Sequence, residues 1–338
     1  MKVRWTDLLA LAAVVTAGTL IVAGNAGRTR TAELLNVSYE ATREMFQELN
    51  KQFLSAYQEQ TGRKLTIKQS HGGSSRQARA VIEGLEADVV TLALSSDVEA
   101  LRKRGLVADD WATRLPHHAH PFTSTVVFVV RRGNPHAITD WPDLVRPGVS
   151  VVTPNPKTSG NGKLSVLAAW GSVIYRGGSE QEAQDYLRQL FEHVAVLGSG
   201  ARDASATFTG EKIGDVQLTW ESEAGREVRE AGGELEVVYP PVSIQAEPSV
   251  AWVDTNVAHH QTAVDAKAYL EFLYTEQAQQ IMARYGFRSM DPAINERRSQ
   301  QPKIDLFPIT VIADNWEQAQ QKFFAENAIF DTIYRPER

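Results

Sequence analysis

"KLTIKQSHGGSSRQ", residues 64–77, passes from an alternating apolar run through two glycines to two serines and a helix-like segment. Read as strand, tight loop and helix start, it aims the first N–H groups of a helix out of the C-terminal edge of a sheet. Ser74 with Gln77 three residues on fits a capping box, so Ser74 is expected to cap a helix running from about Ser75. Two further junctions share this composition. In "NPKTSGNGK" (155–163) Ser159 can cap and Gly160 allows close backbone approach to a ligand, and "GSGAR" (198–202) repeats the pattern. One such junction is ordinary turn chemistry. Three, at the C-terminal ends of strands, lie where open α/β sheets bind ligands.

The surrounding pattern supports that placement. "LLNVSY" (34–39) reads as a buried strand, and Met45, Phe46, Leu49, Phe53 and Tyr57 follow at helical spacing. "ADVVTLAL" precedes a helix over 98–104, and "STVVFVVRRGNP" (124–135) is a β-branched run ending in a turn. A second α/β series follows: "VSVVTPN" (149–155), helices over 163–175 and 180–193, "VAVLGS" (194–199) and "GDVQLTW" (214–220). "SVAWVDT" (249–255) is extended and precedes helices over 261–274 and 276–284. The segment 315–326 carries Trp316, Ala319, Phe323 and Phe324 toward a core. The expectation is two α/β lobes.

Composition narrows the function. With 338 residues and 43% hydrophobic content the chain can bury a large core, usually in two domains. No cysteine is present, so disulfides, thiolate metal sites and a lipidated N-terminal cysteine are excluded. The net charge of −6 without single-sign runs argues against nucleic acid as a partner. Lys2 and Arg4 before the apolar run 8–23, with Gly24-Asn25-Ala26 after it, read as an export signal over 1–26; an uncleaved anchor is the alternative.

Enzyme motifs fail on their details. "KTSGNGKL" has Lys157 where a phosphate loop needs its first glycine and Leu164 where it needs Ser or Thr, and no G-x-S-x-G elbow occurs. "HHAH" (117–120) and the pair His259-His260 lack i, i+4 spacing and a nearby carboxylate, so they read as solvated histidines, and neither metal nor cofactor is expected. Trp220, at a strand end before "ESEAG", offers a donor-only indole N–H that suits an anion.

Taken in order, "LLNVSYEATRE", "QSHGGSSRQA", "EADVVTLAL", "GVSVVTPNPKTSG", "LAAWG", "SGAR" and "TWESEA" resemble the bacterial periplasmic sulfate-binding proteins, the receptors of sulfate and thiosulfate ABC transporters. The resemblance implies an α/β, two-lobed type II periplasmic-binding-protein fold, with residues 33–125 plus 253–338 in one lobe and 126–252 in the other. The lobes would be joined by extended strands near 124–133 and 247–255 and close by a hinge on a ligand in the cleft between them. It implies a monomer in the periplasm, without enzymatic activity, passing its ligand to a membrane permease. Carried over residue by residue, it assigns backbone donors to Ser74, Ser159, Gly160, Asn161 and Ala201, a hydroxyl donor to Ser159 and the indole N–H to Trp220. Glu40, His71 and Arg202 are implied to support the site, Glu40 and Arg202 as an ion pair. Two positions depart from the family: Asn161 stands for a glycine and Glu40 for an aspartate.

The chemistry of such a site follows from the anion. Fully ionised sulfate has only acceptors, so a cleft of donors satisfies it, and helix N-termini add partial positive charge. Protonated phosphate carries a hydrogen that such a cleft leaves unmatched, at a cost of about 1 to 3 kcal/mol. Molybdate and phosphate are the alternative ligands, and a sulfuryl or phosphoryl transferase on the same fold is the alternative activity.

Overall fold

The β-α alternation resolves into two main sheets, with two further pairs of short strands beside them. The computed structural model describes residues 32–296 and 303–334; the expected leader, residues 1–26, lies outside them. The first part of the chain forms β1 (Ala32–Tyr39), α1 (Arg43–Thr61), β2 (Leu65–Gly72), α2 (Ser74–Ile82), β3 (Val89–Leu92), α3 (Ser95–Arg102) and the short β4 (Phe122–Thr123). The second comprises β5 (Val126–Arg131), β6 (Val151–Pro154), α4 (Gly160–Tyr175), α5 (Glu180–Glu192), β7 (Val194–Gly198), α6 (Ala201–Thr209), β8 (Val216–Trp220), α7 (Glu221–Glu230) and β9 (Leu235–Val238). The chain then returns through β10 (Val242–Ile244), β11 (Ser249–Trp252), α8 (Asp254–His260), α9 (Ala263–Phe272), α10 (Glu276–Arg284), β12 (Arg288–Ser289) and β13 (Asp305–Phe307).

The first sheet has the order β11-β3-β1-β2, with β2 and β3 parallel to β1 and β11 antiparallel to β3. The second has the order β7-β6-β8-β5-β9, with β7 and β8 parallel to β6. β5 runs antiparallel to β8 and β9 but has a hydrophobic cluster on each face, which is why Val126 to Val130 are buried without alternation. On α1 the apolar stripe of Met45, Phe46, Leu49, Phe53 and Tyr57 is buried as its spacing predicts, and Gly62 ends the helix in the left-handed region (φ 69°).

Two strands cross between the sheets, and they are tied together. Ser124 and Ala246 exchange both backbone hydrogen bonds, at 3.0 and 2.8 Å, and Thr125 Oγ1 donates to Ile244 O at 2.8 Å. Because β11 pairs with β3, the chain has re-entered the first sheet by Ser249. The C-terminal segment does not stay with the first sheet. Phe323 meets Trp170 of α4 edge-on at 5.0 Å, Phe330 meets Phe191 of α5 at 5.1 Å, and Lys157 pairs with Asp331 at 2.6 Å. Trp316, Ala319, Phe323 and Phe324 are buried as the sequence pattern predicts.

His71 closes β2. It sits opposite Ser38 of β1, with Nδ1 2.8 Å from Ser38 Oγ and Nε2 2.8 Å from Gln69 Oε1. Burial first, then the positive charge of Arg43, lowers its pKa to about 4. The ring is therefore neutral at pH 7 and serves the sheet. Since the unfolded imidazole titrates near pH 6.5, the unfolded chain binds the extra proton below that value and the folded one does not until about pH 4. Stability falls as pH drops through that window. Urea unfolding of the wild type and His71→Gln is expected to show the wild type losing stability more steeply between these limits; parallel profiles would refute the buried neutral histidine.

Candidate functional site

The loops leaving β1, β2, β3, β6, β7 and β8 at their C-terminal ends meet in one place. Gly160, first residue of α4, lies so close to the first sheet's elements that a methyl there would sit 2.5 Å from Ala93 Cβ and 3.2 Å from Ser74 Cβ. A methyl on Gly73 would fall 2.4 Å from Thr158 O. These two glycines let the N-termini of α2 and α4 face one another across the gap between sheets. Thr158 Oγ1 donates to Ser199 O at 2.8 Å, which joins the loop before α6 to the same cluster.

Ser74 is buried, but it does not cap its helix as expected. Gly73 is the N-cap residue, and the Ser74 hydroxyl donates to Asp97 Oδ2 at 2.5 Å while accepting from Ala93 N–H at 2.9 Å. Gln77 turns away to Ser38 O and Ser70 Oγ. The hydroxyl is thus committed within the protein and the helix-end N–H groups are left uncapped by a side chain. Ser159 does cap α4, accepting from Gly162 N–H at 3.5 Å. Asn161, 1% exposed, has both polar side-chain atoms buried without a protein partner among the described residues. A buried, unpaired carboxamide is costly, and side chains in a first helical turn lean toward the N-terminus.

Asp97 was not singled out by the sequence, nor was Lys163 beyond its place in the loop. Lys163 Nζ lies 3.0 Å from Asp97 Oδ1, both side chains 6% exposed, and Ser75 Oγ donates to the same oxygen at 3.0 Å. This buried pair joins α4 of the second sheet to α3 of the first. Its charges are internally compensated.

Glu40 follows β1 and reaches the start of α6. Its Oε1 accepts from Arg202 N–H at 3.2 Å, and the Ala201 N–H acts on the same carboxylate. Burial raises the pKa of Glu40, with those backbone hydrogen bonds opposing it. Two expectations change here. The Ala201 N–H is directed at Glu40, and the Glu40–Arg202 ion pair does not form. The Arg202 guanidinium is instead 2.6 Å from Glu44 Oε2 and 2.8 Å from Glu223 Oε2, because those acids flank it on α1 and α7. Trp220 is buried at the end of β8, its ring 5.4 Å from that of Tyr39 at the end of β1. Tyr39 Oη is also buried without a protein partner among the described residues, a donor that its place in an apolar strand concealed.

The assembled groups are mostly donors: helix-end N–H groups from α2 and α4, the Ser159 hydroxyl, and the Trp220 and Tyr39 side chains. The neighbouring cations Lys163 and Arg202 are engaged by carboxylates. Such a site attracts an anion through oriented dipoles and neutral donors. The loop histidines 117–120 lie elsewhere, His120 Nδ1 being 3.2 Å from Pro248 O.

Comparison with known proteins agrees with this geometry. Residues 34–288 match the family described as bacterial extracellular solute-binding protein. The chain is 46% identical to the thiosulfate-binding protein of Pseudomonas aeruginosa, over 94% of this chain and 97% of that one. It is 45% identical to the sulfate-binding protein of Escherichia coli, over 93% and 97%. Among solved structures, the sulfate-binding protein SubI of Mycobacterium tuberculosis superposes with a TM-score of 0.79 at 32% identity, covering 87% of this chain and 99% of SubI. With two α/β sheets, paired crossing strands and a donor-lined gap between them, the chain belongs to the bacterial extracellular solute-binding proteins and has their two-lobed fold.

Proposed function

We propose that the protein is an exported receptor for sulfate, with thiosulfate as its second ligand, that delivers the anion to an ABC-type permease and catalyses no reaction. The observation that carries this reading is the approach of the α2 and α4 N-termini, with Gly160 against Ala93 and Ser74. A dianion placed there is bound by dipoles from both lobes at once, so binding and closure are coupled. Relatives named for sulfate and for thiosulfate match at 45% and 46% identity, which supports the pair of ligands and does not rank them.

The lobes divide where the sheets divide. The first lobe holds the β1–β3 units and takes the chain back from Ser249, the second holds β5 to β9, and the tail after β13 straps across the second lobe's helices. The strands through Ser124 and Ala246 form the hinge. Ser74, Ser159, Gly160 and Asn161 supply backbone donors, Ser159 and Trp220 side-chain donors, and Ala201 shares its N–H with Glu40. Glu40, His71 and Arg202 act behind the ligand. Among the described residues no helix is long and apolar enough to cross a membrane.

Two substitutions test the assignment. Trp220 fluorescence is expected to change saturably with sodium sulfate, and Trp220→Phe to weaken binding by about tenfold or more through loss of one hydrogen bond to a charged group. Unchanged affinity would remove Trp220 from the ligand contacts. Asn161→Ala is expected to weaken sulfate by about tenfold, because its carboxamide has no protein partner to satisfy it. Calorimetry with the intact fold verified by circular dichroism reads this directly; equal affinities would make Asn161 a spectator.

A further inference from the structure

At the opposite, N-terminal end of β3 the fold brings a carboxylate to the two adjacent histidines. One ligating atom each from Glu86, His259 and His260 lies within 4.8 Å of the others. Glu86 stands in the loop before β3, and the histidines end α8, so their sequence neighbourhood concealed the acid. Asn256 Nδ2 donates to Ala87 O and Val253 N–H to Asp88 O, each at 2.8 Å, which fixes the helix against the loop.

His260 is also oriented from behind. Its Nδ1 lies 3.0 Å from Asp88 Oδ1, and Asp88 is itself held by the Leu35 N–H at 2.8 Å and the Thr262 hydroxyl at 2.5 Å. Asp88 thereby sets the tautomer that leaves Nε2 as a lone pair, and Nε2 faces Glu86 Oε2 at 3.8 Å. A carboxylate behind a ligating imidazole is the arrangement that raises ligand basicity in metal sites. The last carbonyls of α8 add partial negative charge at this end of the helix. The nearby amine, Lys68, is paired with Glu33 at 2.8 Å.

We propose that Glu86, His259 and His260 bind a divalent transition metal of the zinc type, with Asp88 as the positioning residue for His260 and water completing the coordination. Two imidazoles and one carboxylate suit zinc in charge and softness. Glu86 and His259 are exposed and free to move the short distance that coordination needs. The ion would clip the loop before β3 to the helix after β11, at the far end of the sheet from the anion.

Calorimetric titration of the full chain with ZnCl2 at neutral pH, in buffer without sulfate, tests this. One equivalent is expected to bind. His259→Ala and Glu86→Gln, both exposed changes, should each weaken it by about tenfold or more, and Asp88→Asn by about 10–100-fold. Cobalt(II) should give the visible absorption of a low-coordinate N/O site in the wild type and lose it in His259→Ala. Sulfate affinity should stay within about twofold in every variant, since the sites lie at opposite strand ends. No saturable zinc binding below about 1 mM, or one equivalent that survives both exposed substitutions, would overturn the proposal.

Discussion

A doubly charged anion held in a protein interior must be satisfied without water, and the whole cleft is arranged around that requirement. Burying charge is expensive unless every acceptor finds a donor. The donors we propose are mainly peptide N–H groups at helix ends, which carry partial positive charge that no proton loss can remove. The sheets serve this end. Parallel strands discharge every loop of one lobe at the same edge, so β1, β2 and β3 face β6, β7 and β8 across a single gap.

Close approach is what makes those dipoles effective. Gly73 and Gly160 remove the side chains that would hold the lobes apart, and Lys163 crosses the gap to Asp97. That ion pair is buried, with Asp97 also accepting from the Ser74 and Ser75 hydroxyls, and it is weak evidence for stability. It also withdraws Lys163 from the anion, as Asp331 withdraws Lys157, the other lysine of that loop. Besides Asp97, which Ser74, Ser75 and Lys163 occupy, Glu40 and Asn161 carry acceptors close to the helix ends. The Glu40 carboxylate is occupied by the backbone of α6, whereas Asn161 keeps a carbonyl oxygen and an amide nitrogen without partners.

Much of this was legible in residue order. The alternation of strand and helix, the Ser-Gly loops at strand ends and the position of Trp220 are local signals, and each stands where its pattern placed it. The misread details are all decided by groups remote in sequence. Ser74 gives up its capping role because its hydroxyl accepts from the Ala93 N–H instead and donates to Asp97 on the next helix. Arg202 leaves Glu40 because Glu44 and Glu223 flank it from two different elements. The C-terminal segment follows α4 and α5 because Trp170 and Phe191 offer aromatic partners that no spacing rule reveals. Glu86 escaped notice as a partner of His259 and His260 for the same reason.

Isothermal calorimetry of the protein against sulfate and phosphate, from about pH 5 to about pH 8, tests the donor-based account most directly. Sulfate, ionised throughout, should bind with nearly constant affinity, while phosphate should bind weakly at every pH because its remaining hydrogen meets donors. Tight phosphate binding that strengthens as the pH falls would contradict it, and would place an acceptor, Glu40 or the Asn161 carbonyl, on the ligand.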